Sequence, residues 1–412
     1  MMVIIFVIGL LPSSNMAAGV FVDKRIFFLA AASFATGTEA YVYAGHLETL
    51  AHDLGQPVST AGQLATAFAL TYAIMAPLVA GLAGRFGRRP VMVSGLVLIG
   101  ALNLMAAIAP SFGALIAIRF ACGLAAGLVG PIATLAAAEL APPDQPGRAM
   151  AVVLSGITLA FVLGIPIGSV VGDWAGWRGT FVYAGVLAFG CAALIRAVFP
   201  ALPGGAPRRL GAFAEALRPA IAGPLLLTMA GFAATFSAVA YVGPLVTAIA
   251  GLTGSGIGAM QALIGVGSIA GIVLGGRMAD QPGRRGFLAG SFLVSAAALS
   301  SYSLLLGTGL PRFMILAGLS LAIIAGAAAL FSRTPVIQTR LVAAASAEAR
   351  PVVLALNGSM VLFGQGLGAA VGGMAIDVAG LPAVGFTAAL AALVAVPLAL
   401  GLPAMAVAAP AQ

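Results

Sequence analysis

Charge is what this sequence most lacks. Of its 412 residues only 7% are Asp, Glu, Lys or Arg, whereas a soluble domain uses about 25% to cover its surface. That shortage excludes a set of ordinary soluble domains. Cysteine is rarer still: Cys122 and Cys191 are the only two, each inside an apolar run. A disulfide scaffold is excluded, and both read as free, buried thiols. Lys24 is the only lysine among 19 basic residues. Histidine occurs twice, at His46 and His52, in a spacing that suits a solvated loop better than a metal site. Gly-Lys-Ser/Thr phosphate loops, glycosidase-type acid pairs and nucleophile elbows are all missing, so neither an enzyme nor a pump driven by nucleotide hydrolysis is indicated.

Apolar residues fill the space that charge leaves. They make up 61% of the chain, and the mean hydropathy is +1.13. The 55 glycines and 24 prolines are ordinary for packed transmembrane helices. The composition is that of a polytopic membrane protein. A β-barrel is excluded because the apolar runs last about 20 residues, whereas barrel strands alternate over about ten.

Cutting the chain at charged and Pro/Gly-rich breaks yields twelve spans. They lie near 26–46, 60–83, 91–110, 113–138, 149–172, 180–200, 220–248, 255–279, 287–307, 311–333, 351–373 and 383–403. This division implies an N-terminal extension over 1–22, a first six-helix bundle over 23–200 and a linker over 201–219. A second bundle over 220–403 and a tail over 404–412 complete it. Residues 1–12 are apolar but too short to span, and the true start is expected at Met16.

The net charge of +8 does not point to nucleic acid, because the basic residues come in short clusters between spans. With the N-terminus inside, one side collects Lys24, Arg25, Arg85, Arg88, Arg89, Arg148, Arg196, Arg208, Arg209, Arg218, Arg277, Arg284, Arg285, Arg333, Arg340 and Arg350. The other side holds only Arg178 and Arg312, and Arg119 lies within a span. Cytoplasmic loops gather Lys and Arg, so both termini are expected in the cytoplasm.

The two halves repeat. Phe34-Ala35 and Tyr43 align with Phe232-Ala233 and Tyr241, Gly87-Arg88-Arg89 with Gly283-Arg284-Arg285, and Gly164, Gly168 and Gly172 with Gly364, Gly368 and Gly372. The near-constant offset argues for two bundles of common origin, a transporter architecture.

These motifs resemble the major facilitator superfamily, and within it the twelve-helix drug:proton antiporters of the arabinose-efflux-permease type. The loop motif G-x-L-a-D-r-x-G-r-r is matched by Gly276 to Arg285, including Asp280, Gly283, Arg284 and Arg285. In the first half it is matched by Ala80 to Arg89, including Arg85, Gly87, Arg88 and Arg89, with Gly84 in the acidic position. Thr38, Glu39, Tyr41 and Gly45 are similar to the branch's first-helix pattern, and Arg119 with Gly123 to its R-x-x-x-G. Gly156, Gly164, Pro166 and Gly168 resemble the antiporter motif.

The resemblance implies an all-α protein of two pseudo-symmetric six-helix bundles in the cell inner or plasma membrane, acting as a monomer without cofactor and driven by a proton gradient. Small molecules, protons and the bilayer are its expected partners. Glu39 lies about 20 Å into the first span at 1.5 Å per residue. A carboxylate there is costly and marks a functional position. Arg119 falls at a matching depth, about 10 Å below the outer surface. The pair is expected to couple proton movement to the transport cycle, or else to form a permanent structural ion pair. Thr38, Tyr41, Tyr43, Tyr72, Phe236 and Tyr241 are expected to line the substrate cavity, with an aromatic belt as the other reading for Tyr43 and Tyr241. The glycine repeats of the fifth and eleventh spans are expected at the seam between bundles. The implied function is proton-driven export of amphipathic or drug-like molecules. Export of sugars, nucleosides or related metabolites, or a non-transporting sensor on the same scaffold, are the alternatives.

Overall fold

The computed structural model describes residues 23–82, 87–142, 146–200, 215–279, 281, 284–346 and 348–402. The extension over 1–22, most of the linker and the whole tail lie outside them. In hydrocarbon every backbone N–H and C=O must find a partner within the protein, and long apolar segments do so as helices. The first half comprises α1 (Arg25–Tyr41), α2 (Leu47–Asp53), α3 (Val58–Leu82), α4 (Arg88–Ala107), α5 (Phe112–Leu140), α6 (Pro146–Leu159) and α7 (Ile165–Val198). The second comprises α8 (Pro219–Val239), α9 (Val242–Ala250), α10 (Gly254–Ala279), α11 (Arg284–Leu305), α12 (Arg312–Ala344), α13 (Arg350–Ala379) and α14 (Ala383–Gly401).

Among the described residues, ten stretches are long and apolar enough to cross a membrane. One of them, 149–198, is two passes joined at Gly176, whose φ of 67° breaks α7 where only glycine sits without strain. The 17-residue α1 supplies the remaining pass, and twelve result as expected. Apolar side chains such as Val186, Leu321 and Leu390 are exposed; in a bilayer they face acyl chains.

Three boundaries differ from the hydropathy cut. The first and seventh passes both break, after Tyr41 and after Val239, and resume as α2 and α9. In the seventh, Pro244 has no N–H to offer the Ala240 carbonyl. The tenth pass does not end at residue 333, because α12 runs on to Ala344. Arg333 and Arg340 are therefore helix residues only 2% and 5% exposed, and neither belongs to a cytoplasmic loop. Pro166 follows a π-helical turn at Ala160–Gly164, as expected where a helix loses a backbone donor.

The packing repeats between halves. In the first, α1 packs on α6, α3 on α5 and α4 on α7; in the second, α8 packs on α13, α10 on α12 and α11 on α14. The halves meet where α3 lies along α13 and where α6 and α7 meet α10. The arrangement is that of a two-fold pseudo-symmetric pair of bundles.

The four-residue glycine rows do not lie at the seam. Gly156 faces Ala30, Gly164 faces Thr38 and Gly168 faces Val42, all on or beside α1 of the same half. Gly364, Gly368 and Gly372 face Phe232, Ala233 and Ser237 of α8 in the same way. A four-residue spacing paints one helix face, and that face is turned to the partner within the bundle. Close approach elsewhere follows the same rule: a Cβ on Gly271 of α10 would sit 2.9 Å from Ala328 Cα. Gly271→Val should destabilise the second bundle by about 1–3 kcal/mol, seen as a lower thermal unfolding midpoint in detergent.

Candidate functional site

Glu39 lies on α1 and Arg119 on α5, each with a side chain 0% exposed. Their side chains form an ion pair between Arg119 Nη1 and Glu39 Oε1. Arg119 Nη2 also donates to the Ala40 carbonyl at 3.0 Å. The guanidinium stands over the rings of Phe68 and Tyr43, 4.6 and 5.2 Å from their centroids. Glu39 Oε2 and Arg119 Nε have no hydrogen-bond partner. The pair is thus buried and only half satisfied, inside the first bundle rather than at the seam. The matching depths of the two residues in the sequence correspond to a direct contact.

Tyr41, two residues after Glu39 and so about half a turn round α1, reaches the seam. Its hydroxyl donates to Gln365 Oε1 of α13 at 3.2 Å. Its ring lies 5.2 Å from Phe236 and 6.5 Å from Phe161. Phe232 and Phe331 complete an aromatic cluster contributed by both halves. Tyr41 and Phe236 are therefore brought together.

The other expected cavity residues are placed elsewhere. Thr38 is buried against Gly164. Tyr43 is 1% exposed and stacks on Phe181 at 5.6 Å inside the first bundle. Tyr72 packs beside Phe68 with its hydroxyl against Gly130. Tyr241 is 0% exposed, so neither it nor Tyr43 forms an interfacial belt. Instead the Tyr241 hydroxyl lies 2.9 Å from the Ala369 carbonyl and 3.2 Å from that of Ser59, bridging α13 and α3.

Tyr241 belongs to a closure at the end of the molecule that carries His46, Asp53 and Gly251. There Thr66 Oγ1 donates to the Gly366 carbonyl at 3.2 Å, and Ser169 Oγ to Gln261 Oε1 at 2.7 Å. Outermost, the Asp173 carboxylate accepts from Ser255 N at 2.6 Å. An acid from one half thereby caps the first turn of α10 in the other, where the helix dipole favours negative charge. Gly254, with φ 43°, leaves the room this needs, because any Cβ there would overlap Asp173. Among the described residues, α5 and α12 make no substantial contact with each other.

At the opposite end Arg88 donates to Glu139 of α5, at 2.5 Å from Nη2 to Oε1 and 3.4 Å from Nε to Oε2. Glu139 lies outside the loop motif, whose acidic position is Gly84. Gly87 caps α4 in an extended conformation, Arg89 and Arg285 are half-buried, and Gly276 is exposed. Arg85, Asp280 and Gly283 lie outside the described residues, and Arg284 opens α11.

Glu139, Asp173, Gln261, Gln365 and Arg333 escape the sequence motifs. For the two glutamines and Arg333 a signal exists, since each interrupts a long apolar run. Glu139 and Asp173 sit at helix ends, where an acid carries no such signal. Removing the outer cap should loosen the closed end. Asp173→Ala is expected to lengthen the distance between spin labels placed at Thr49 and Thr253, read by pulsed electron paramagnetic resonance; an unchanged distance distribution would remove the cap from the closure.

Residues 27–337 match the family model described as Major Facilitator Superfamily. The chain is 38% identical over 262 residues to a chloramphenicol resistance protein of Streptomyces lividans, covering 62% of this chain and 67% of that one. It is 30% identical over 359 residues to the inner membrane transport protein YdhP of Escherichia coli K12, covering 86% and 90%. Among solved structures, a D-xylose–proton symporter superposes with a TM-score of 0.73 at 17% identity, over 92% of this chain and 97% of the other; at that identity the likeness concerns the fold. With the helical pairing, the bridged seam and the family match in hand, the chain belongs to the major facilitator superfamily and is a multi-pass membrane transporter of small molecules.

Proposed function

We propose that this transporter exports small amphipathic or drug-like molecules in exchange for protons, by alternating access around the seam between its halves. The observation that carries the reading is the half-satisfied Glu39–Arg119 pair, fully buried in the first bundle. Burial favours the neutral acid, whereas a nearby guanidinium favours the carboxylate. A carboxyl under both influences exchanges a proton when its partner moves. Arg119 sits on α5, which packs on α6 as well as on α1, so rocking of the seam-forming helices is transmitted to the pair. The resistance named for the Streptomyces relative fits export of a drug-like cargo, and the Tyr41–Phe161–Phe236 cluster offers it an aromatic wall.

The basic residues assign the Arg88 end to the cytoplasm. In that orientation the hydrogen-bonded closure around Tyr241 and Asp173 lies on the outer side. Proton entry to Glu39 and cargo uptake from the cytoplasmic side then belong to successive steps of one cycle. The seam hydrogen bonds from Tyr41–Gln365 outward break and re-form as the halves rock.

Glu39→Gln should abolish proton-gradient-driven efflux while the protein still accumulates in membranes. The check is drug-panel transport in everted vesicles with the gradient monitored, and wild-type efflux from the variant would remove its coupling role. Arg119→Ala leaves a buried carboxylate unpaired, which costs about 3–5 kcal/mol. It should lower the unfolding midpoint and shift the pH optimum of transport; an unchanged pH profile would reduce the pair to a structural one. A reporter fused after residue 205 should read as cytoplasmic, and periplasmic activity there would invert the assignment.

A further inference from the structure

Arg333 stands apart from every other basic residue described above. It lies 21 residues into the 33-residue α12, roughly 17 Å from that helix's Ala344 end at 1.5 Å per residue. It is 2% exposed, yet no carboxylate among the described residues pairs with it. Nη2 donates to Ser295 Oγ at 3.1 Å, and the guanidinium covers the Phe292 ring at 4.0 Å. Nε and Nη1 donate to nothing. An isolated buried cation is expensive, and the cost is offset only by an anion or a dense set of acceptors.

The guanidinium borders a cleft that is also lined by Thr228, Phe232, Thr334 and Asn357. Thr228 Oγ1 donates to Asn357 Oδ1 at 2.7 Å, which engages the amide's acceptor. Every polar group on this wall is thus a hydroxyl, an amide or a guanidinium, and none carries negative charge. The cleft also reaches the aromatic cluster at the seam. Phe232, one of its walls, lies 6.2 Å from Phe331 and 5.9 Å from Phe236.

We propose that Arg333 anchors the carboxylate of an aromatic organic monoanion, whose ring inserts between Phe232 and Phe331. The proposal rests on the transporter reading and names a substrate class for it. Nη2 shares one edge of the guanidinium with Nε and another with Nη1; Ser295 takes an Nη2 hydrogen on one edge, and the two parallel N–H groups of the other match the two oxygens of a carboxylate. A phenyl ring suits edge-to-face packing in the cluster. Cationic drugs are repelled by the same residue. The cleft is narrow in this conformation, and a ring enters as the two phenylalanines part.

The test uses the full-length protein in detergent, with thermal unfolding followed by a thiol dye that reports exposure of Cys122 and Cys191, both buried in the fold. Sodium benzoate, neutral benzamide and sodium chloride are titrated at matched ionic strength. Benzoate should raise the unfolding midpoint, and benzamide should act at least about tenfold more weakly, as expected when a charge-assisted hydrogen bond is lost. Arg333→Gln should lose the benzoate response and Arg333→Lys should keep part of it. If Arg333→Gln does not fold, the benzoate–benzamide contrast in the wild type, together with a weaker benzoate response in Phe232→Ala, decides the matter. Equal responses to benzoate and benzamide, or unaltered benzoate binding in Arg333→Gln, would overturn the proposal. A chloride response matching that of benzoate would reassign the site to a small inorganic anion and overturn it as well. Absent benzoate binding with proton-driven efflux of a neutral drug intact would remove this proposal alone. Proton-independent efflux with benzoate binding intact would instead remove only the antiport reading.

Discussion

Close approach of helix backbones is the condition on which this architecture rests. Lipid tails are as apolar as leucine, so burial alone does not drive helices together inside a membrane. What remains is contact, and contact is best where a side chain is missing. Gly156 lies against the Ala30 carbonyl, Gly368 against Ala233 and Gly271 against Ala328. Each bundle is sewn along such rows. The seam uses a second set: Gly258 and Gly265 face Pro166 and Val162, and Gly366 and Gly373 face Leu70 and Gln63. The firm contacts within halves and the polar, hydroxyl-bridged contacts between them divide the molecule into two bodies and one breakable interface.

Charge is spent sparingly on that frame. Asp173 and Arg88–Glu139 sit at helix ends, near water. Deep in the spans, Glu39 is held by Arg119 with one carboxylate oxygen left over, while no carboxylate among the described residues pairs with Arg333. Buried ions contribute little net stability, and they are costly to leave unpaired. Their presence in a chain otherwise so poor in charge is what the proposed proton and anion roles rest on. The two positions fall in different halves, one inside the first bundle and one on a cleft that leads to the seam. In the proposed cycle, coupling between them passes through movement of the halves rather than through direct contact.

Much of the fold was legible along the chain. Long apolar runs with short basic breaks determine twelve helical passes, because hydrocarbon admits few other backbone solutions. The offset between Phe34 and Phe232, or Tyr43 and Tyr241, carries the internal repeat, and the two broken passes in the structure fall at that same offset. The depth of Glu39 and Arg119, read from helical rise alone, places them level with each other. Linear distance governs these features, so a linear text records them.

Which face a residue presents was decided only by the tertiary structure. The glycine rows looked like a seam and proved to be the inner stitching of each bundle, because spacing specifies a stripe but not its neighbour. Tyr41 and Tyr43 are two residues apart, and one meets Gln365 across the seam while the other stacks on Phe181 within its own half. Arg333 read as a loop cation because hydropathy falls near it, whereas packing against Phe292 and Ser295 draws it into the helix bundle. Composition and periodicity determine that this chain enters a membrane as helices. Rotation of each helix about its axis, set by contacts hundreds of residues apart, decides which of its few charges are hidden, paired or left waiting.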